Sequence, residues 1–391
     1  MKKILGIAFL AATFAAAGDG ISWEQATSDG NRLHAAGQYA EAEKMYRTAV
    51  SEGERFGPGN PRVAQALNNL AAATYQLGRY GEAERLYGRA LALWESYGEK
   101  EHRNLAVARA NLAVVYTAMG RYADAERLHR AALAAAAPES AEAGGAHNRL
   151  ASLHRERGQL AEAEREATRA VAILTQAAGA AHPSTAAAWQ TLAATRRAQG
   201  RLEEAGEMIV KAVRMFETSL GPEHPSVAAA WNNLAELRSA QTRYMAAEAA
   251  ARRALAIWER SLGPEHRNVA IALNAAAQSL RMQMRYGEAE PLYHRAIAIA
   301  EKTFGPDHPD LAKFYANLGH LYLERGRHLG AAHLYERAMT IIERANGAGD
   351  RQLPALRRNL AAALRAQGRV TESERVASGF RPQGPRAATT P

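Results

Sequence analysis

The sequence copies itself every 42 residues, and nothing else about it constrains the fold as strongly. Gly-Pro-Glu-His-Pro begins at Gly221, Gly-Pro-Glu-His-Arg at Gly263 and Gly-Pro-Asp-His-Pro at Gly305, with the weaker Gly-Ala-Ala-His-Pro at Gly179. Each is followed by two apolar-periodic segments with a tight break between them. A unit of this size cannot bury its own apolar face, so neighbouring units must stack to make a continuous core. The 391 residues would otherwise suggest two or three globular domains. A stacked array has no fixed domain size, and the repeat overrides that expectation.

Nine breaks align the units. They read Gly37-Gln-Tyr39, Gly78-Arg-Tyr80, Gly120-Arg-Tyr122, Gly158-Gln-Leu160 and Gly200-Arg-Leu202, then Thr242-Arg-Tyr244, Met284-Arg-Tyr286, Gly326-Arg-His328 and Gly368-Arg-Val370. Glycine suits the left-handed residue that ends a helix, and the ring two positions on is placed to plug the gap between helix pairs. Thr242 and Met284 break the glycine rule, which predicts strain or a different turn there. Five residues after each break stands a small residue (Ala42, Ala83, Ala125, Ala163, Ala205, Ala247, Ala289, Ala331, Ser373), and seven further on another, from Ala49 to Ala338. A seven-residue step returns to one helix face, so the second helix of each unit approaches its neighbours closely. The first helix carries leucine eight residues before the break in seven units, with Ala276 in another.

Composition agrees. Aromatic residues make up 7% of the chain and there is no cysteine, which excludes disulfides, thiolate metal sites and cysteine nucleophiles. The net charge of +9 comes without a dense basic run. A solvated helical surface accounts for it, and a mild preference for acidic partners is the sharper reading.

Residues 1–17 read as a signal peptide. Lys2 and Lys3 form the charged start, Ile4 to Phe14 the apolar run and Ala15-Ala16-Ala17 the cleavage site. The apolar run is short of the roughly 20 residues that span a bilayer. The expectation is cleavage near Ala17 and export, periplasmic or secreted, with no transmembrane segment in the mature chain. The repeats run over 22–377, with an irregular start to the fourth repeat at 134–145 that predicts a kink. Residues 378–391, rich in Pro, Gly, Arg and Thr, read as a disordered tail.

The leucine and small residue of the first helix, the break glycine and the spaced alanines of the second resemble the tetratricopeptide repeat pattern. The 42-residue unit, its Gly-Pro-Glu-His-Pro start and Leu67-Asn-Asn-Leu-Ala71 resemble the kinesin light chain-type variety, without the heptad segment a kinesin subunit would need. The resemblance implies an all-α, right-handed superhelical solenoid of antiparallel helix pairs, about nine repeats long. It also implies a concave groove lined by the first helices.

The histidines at 182, 224, 266 and 308, with His102 in the same column, invite a metal reading that geometry opposes. Stacked helices lie about 8–10 Å apart, whereas zinc ligands lie about 2 Å from the ion. One histidine per repeat cannot chelate a shared metal, so none is expected. Instead His-Pro ends one unit and starts the next helix, with proline at its first position and Asn104, Ser184, Ser226, Asn268 or Asp310 following as start residues.

The asparagines carry the functional expectation. Asn69, Asn111, Asn233, Asn317 and Asn359 stand nine residues before the break, with Arg149, Thr191 and Ala275 elsewhere in that column. Asn68, Asn148, Asn232 and Asn274 stand one residue earlier. Asparagine inside a helix costs about 0.5 kcal/mol relative to alanine, so something offsets a repeated penalty. The resemblance implies a ladder that holds an extended peptide by its backbone, since an amide both donates and accepts. The competing reading is that these amides tie each first helix to the neighbouring repeat. Arg155, Arg197, Arg281 and Arg365, three residues before the break, would with Arg149 favour carboxylates in the same groove, or face solvent. Trp189 with Trp231, and Trp94 with Trp258, repeat at positions that suit packing.

No phosphate loop, metalloprotease helix or nucleophile elbow appears, and no column alternates aromatic and basic residues for nucleic acid. The sequence reads as a binding scaffold for a protein or peptide, an acidic one being favoured. It does not read as an enzyme, and no cofactor, nucleic acid or small-molecule substrate is expected. The alternative is a structural or assembly subunit of a cell-envelope complex that uses its convex face or edges.

Overall fold

The computed structural model describes residues 21–97, 102–347, 349–350 and 352–379. The expected leader lies outside the described residues, as does the tail from residue 380. The described residues form eighteen helices and no strand. They pair in sequence: α1 (Trp23–Ala35) with α2 (Tyr39–Glu54), α3 (Pro61–Gln76) with α4 (Tyr80–Ser96), and α5 (His102–Ala118) with α6 (Tyr122–Ala135). Then come α7 (Ala141–Glu156) with α8 (Leu160–Ala177), α9 (Pro183–Ala198) with α10 (Leu202–Leu220), and α11 (Pro225–Ala240) with α12 (Tyr244–Leu262). The last are α13 (Arg267–Met282) with α14 (Tyr286–Phe304), α15 (Leu311–Glu324) with α16 (His328–Asn346), and α17 (Leu353–Ala366) with α18 (Val370–Ala377). Contacts gather the chain into two units, residues 1–268 and 269–391. In each, a helix packs on the one before it and the one after it, as in a solenoid.

All nine breaks take one conformation. The seven glycines have φ between +72° and +81°, and Thr242 and Met284 adopt the same left-handed geometry at +58° and +61°. The next residue donates its N–H to the carbonyl five residues back, as Arg79 does to Thr74, Arg243 to Arg238 and Arg285 to Leu280. This is the Schellman closure, and it satisfies carbonyls that a helix end would leave bare. The two non-glycine breaks are therefore strained rather than reshaped, because a Cβ crowds the following carbonyl in this region. The residue two positions on is buried only at Tyr39 and Tyr80; at the later breaks it is half-buried, or exposed as Val370 is.

Helix starts correct one expectation. His182, His224, His266 and His308 do more than precede the helix: each ring accepts at Nδ1 from the backbone N–H two residues on. The donors are Ser184 at 3.2 Å and Ser226, Asn268 and Asp310 at 3.1 Å. At α9, α11 and α13 the histidine is the cap and the residue read as a start residue supplies the N–H, whereas α15 begins at Leu311 with Asp310 itself at the cap position. Asn60 does the same at the head of α3, accepting from Arg62 N–H at 3.0 Å. Where the fourth repeat begins, Ser140 caps α7 through Ala143 N–H, after a left-handed Glu139. The shortening there is taken out of α6, which has 14 residues against 17 in α4 and 18 in α8.

The alanine columns are the core. Ala42, Ala83, Ala125, Ala163, Ala205, Ala247, Ala289 and Ala331 have no exposed surface. Ala132, in the shortened repeat, is half-buried, unlike its equivalents. The leucines eight residues before the break are buried throughout. Tyr46, Tyr87, Tyr293 and Tyr335 fill the space between these columns without exposed surface.

Odd-numbered helices also reach the next odd-numbered helix. In the first unit α1 touches α3, α3 touches α5 and α7 touches α9; in the second α15 touches α17. Among the described residues, no pair of even-numbered helices comes into comparable contact. Within each unit the odd-numbered helices therefore stand on the inner side of the stack.

Candidate functional site: the polar ladder of the odd-numbered helices

The two asparagine columns lie on this inner side, and the structure shows that part of them is bonded to itself. Asn111 Nδ2 donates to Asn68 Oδ1 at 3.1 Å, Asn68 Nδ2 to Asn69 Oδ1 at 3.3 Å and Asn69 Nδ2 to Asn31 Oδ1 at 3.4 Å. Asn31 Oδ1 also accepts from the Tyr46 hydroxyl at 2.9 Å. Four amides and a phenol thus join α1, α2, α3 and α5. In the second unit Asn317 Nδ2 donates to Asn274 Oδ1 at 3.0 Å, the same step of 43 residues. In these two pairs the residue nine before the break reaches the residue ten before the preceding break, whereas Asn69 reaches Asn31, six before its break.

Burial sorts the expected contact residues. Asn68 and Asn69 have no exposed surface, and Asn111, Asn232 and Asn274 are buried. Asn68, Asn69, Asn111 and Asn274 cannot touch a partner in this conformation, because their polar groups are spent inside the stack. Asn148, Asn233, Asn317 and Asn359 are half-buried and reach the surface.

The arginines are corrected in the same way. Arg155 pairs with Glu156 at 2.6 Å, Arg197 with Glu236 at 3.3 Å and Arg281 with Glu324. These guanidinium groups already have carboxylates of the chain, so they add little to the charge a partner meets. Arg365 is exposed. Arg149 differs from all of them. It is largely enclosed by protein, which pulls its pKa below the usual guanidinium range, and no carboxylate offsets the burial. Its Nε is buried without a hydrogen-bond partner.

The tryptophans pack. Trp258 Nε1 donates to the Pro225 carbonyl at 3.1 Å, and the Lys211 ammonium sits 3.9 Å over the Trp189 ring. Among the described residues, no three His, Asp or Glu side chains are grouped to hold a metal ion. No helix among them is long and apolar enough to cross a membrane.

Two features escaped the sequence reading. The arginine after the break bridges to a glutamate six residues past the previous break: Arg121 to Glu84 at 2.6 Å, Arg201 to Glu164 at 3.3 Å, and Arg79 to Glu43. The 36- or 37-residue offset was visible but had no meaning without the stack. The first unit also returns to its own beginning. Arg267 Nη1 donates to Gln76 Oε1, and the His266 ring lies against Gly37, where a Cβ would come within 2.9 Å of it. No local spacing signals a contact across 191 residues.

These features are a helix-turn-helix unit with a left-handed break, small residues on the second helix and a polar inner face on the first. The chain belongs to the tetratricopeptide repeat family. The sequence model of that repeat matches residues 30–92, 62–137, 142–218, 189–253, 226–290 and 269–344. Among solved structures, a Podosopora anserina kinesin light chain-type protein of nearly identical TPR-like repeats is 27% identical. That match covers 51% of this chain and 93% of the other, with a TM-score of 0.44. A Rap protein complexed with competence and sporulation factor is 12% identical over 92% of this chain and 99% of its own, with a TM-score of 0.53. A signal-transduction ATPase with a tetratricopeptide repeat sensor from Pyrococcus horikoshii is 14% identical over 86% of this chain and 51% of its own, with a TM-score of 0.54. At these identities the last two likenesses are of fold. No curated protein matches the chain.

Proposed function

We propose that the chain is an exported protein–protein interaction scaffold, held to one extended or helical segment of a partner along the odd-numbered helices. The observation that carries this is the half-buried amides on the inner side of each unit taken by itself: Asn148 and Asn233 in the first, Asn317 and Asn359 in the second. An amide there can pair with either backbone group of a bound segment. The Rap structure, solved with competence and sporulation factor, supports a solenoid of this kind as a binding platform. Export rests on residues 1–17, and an acidic partner on the charge of +9. The test is capture from the envelope or secreted fraction by wild type and by a triple Asn148→Ala, Asn233→Ala, Asn359→Ala variant of equal helicity. Loss of the captured species in the variant is expected; equal capture contradicts the reading.

A second reading has its own observation. Met245 in the first unit, and Met284 and Leu329 in the second, are each more than 70% exposed and sit at the breaks. Exposed apolar side chains at the breaks of each unit suit a structural or assembly subunit of an envelope complex.

A further inference from the structure

The end of the first unit is fastened to its beginning, and the residues at the join depart from the repeat. Arg267 stands where the equivalent positions of other repeats hold Pro183, Pro225 and Pro309. A proline could not make the hydrogen bond that Arg267 Nη1 donates to Gln76 Oε1 on α3. His266 is buried, although His182 and His224, which cap helices in the same way, reach the surface. Its ring lies against Gly37, where a Cβ would come within 2.9 Å of it. At Gly120, Gly158, Gly200, Gly326 and Gly368 a Cβ would meet nothing within 4 Å. Thr242 and Met284 show that a break accepts a side chain. Glycine at position 37 therefore meets two demands, a left-handed backbone and a close approach.

The join also gathers charge. His34 on α1 stands three residues before its break, the place that Arg155, Arg197, Arg281 and Arg365 take in their repeats. It is buried, with the Tyr39 ring of α2 edge-on at 4.9 Å. The groups that face one another are thus His34, Tyr39 and Gln76 from α1, α2 and α3, and His266 with Arg267 at the head of α13. Arg267 keeps its charge at every ordinary pH. A proton on either imidazole therefore adds a like charge beside it in a buried contact. Burial, then Arg267 and His266, hold the His34 pKa at about 3, and burial, then Arg267, holds that of His266 at about 4.

We propose that the first unit is closed by a clasp of His34, Gly37 and Gln76 against His266 and Arg267, and that acid opens it. Above pH 6.5 both rings are neutral and the clasp is shut. In the open form the imidazoles return toward their ordinary 6.5 and take protons first. Closure therefore weakens as pH falls from 6.5 toward about 4, and both histidines act with the same sign. Between pH 7.5 and pH 4.5 the ratio of closed to open molecules drops at least about tenfold.

The test reads closure in the full chain. The chain has no cysteine, so spin labels attach only at introduced Ala40→Cys and Ser261→Cys, both exposed in the first unit. Pulsed electron–electron double resonance measures the span between them, and circular dichroism follows helicity. One narrow distance is expected at pH 7.5. At pH 4.5 a second, longer population should appear with helicity unchanged, and vanish on return to pH 7.5. With His34→Gln and His266→Asn together, the single distance should persist at pH 4.5. Gly37→Ala should show the longer population already at pH 7.5. Gly158→Ala, at the same φ of +76° but with open space around it, should not. Should Gly37→Ala fail to fold, Arg267→Met carries the comparison with the same expectation. A single distance in wild type at pH 4.5 overturns acid opening, as does a longer population that survives removal of both histidines. Matching distributions in Gly37→Ala and Gly158→Ala overturn the clasp. A longer population that comes only with lost helicity is acid unfolding, and it overturns the proposal too.

Discussion

Asn111 on α5 donates a 3.1 Å hydrogen bond to Asn68 on α3, and neither side chain has more than 3% of its surface exposed. The bond crosses a repeat boundary inside the stack, so it acts as an inter-repeat tie. Removing one partner leaves the other buried and unmatched, at a cost of about 1–3 kcal/mol. Asn68→Ala and Asn111→Ala should each lower stability by that order in urea unfolding. The double variant should lose less than the sum of the two. Strict additivity would show that the amides do not act on each other.

The two non-glycine breaks hold strain that can be relieved. Thr242 and Met284 sit at φ +58° and +61°, where a side chain costs roughly 1–2 kcal/mol. Thr242→Gly and Met284→Gly should each raise the melting temperature, with a gain of about 1 kcal/mol after the extra backbone entropy of glycine in the unfolded chain. Gly200→Ala should lower it. An unchanged or lower melting temperature in both glycine variants contradicts the assignment of strain.

Two tyrosines in one column should answer differently to loss of the hydroxyl. Tyr46 donates to Asn31 at 2.9 Å, while the Tyr87 hydroxyl is buried without a partner. Tyr46→Phe should destabilise by about 1 kcal/mol, and Tyr87→Phe should be neutral or stabilising. Equal losses in thermal unfolding would mean that the hydroxyl bonds are not what separates the two sites.

His266 ties stability to pH. Burial first, then Arg267, holds its pKa at about 4 against an ordinary 6.5. Its Nδ1 must stay unprotonated to cap the helix through Asn268 N–H. The unfolded chain binds the proton first as pH falls, so this contribution is complete above pH 6.5 and is lost between there and about pH 4. Nearby His34, held down to about 3 chiefly by burial, acts with the same sign. His266→Asn keeps an acceptor, as Asn60 does at the head of α3, and removes the titration. Its melting temperature should fall less steeply than wild type from pH 6.5 to 4. Parallel curves would rule out this histidine as a source of acid sensitivity.

What the sequence revealed, and what it withheld, divides along local and stacked geometry. The breaks, the alanine and leucine columns and the helix-pair order follow from periodicity and one residue's φ preference, and all are legible in the chain. That Asn111 bonds to Asn68 was not, because it depends on the 43-residue step that stacking imposes. The signal was present all the same: the two columns hold asparagine together at these positions and part company at Ala110 with Arg149. The histidine cap was hidden by habit, since serine after His-Pro looks like the cap until Nδ1 is seen accepting from its N–H. Arg281 has no charged neighbour in its own repeat's spacing, and its partner Glu324 comes from the next repeat.

The central claim is that a partner is held on the odd-numbered helices. A photo-crosslinking residue placed at Asn233 on α11 reports that face, and one at exposed Arg253 on α12 reports the opposite side. In cells, irradiation should give a crosslinked adduct from position 233 and none from position 253. An adduct from position 253 alone would contradict the claim and favour the edge or convex-face reading.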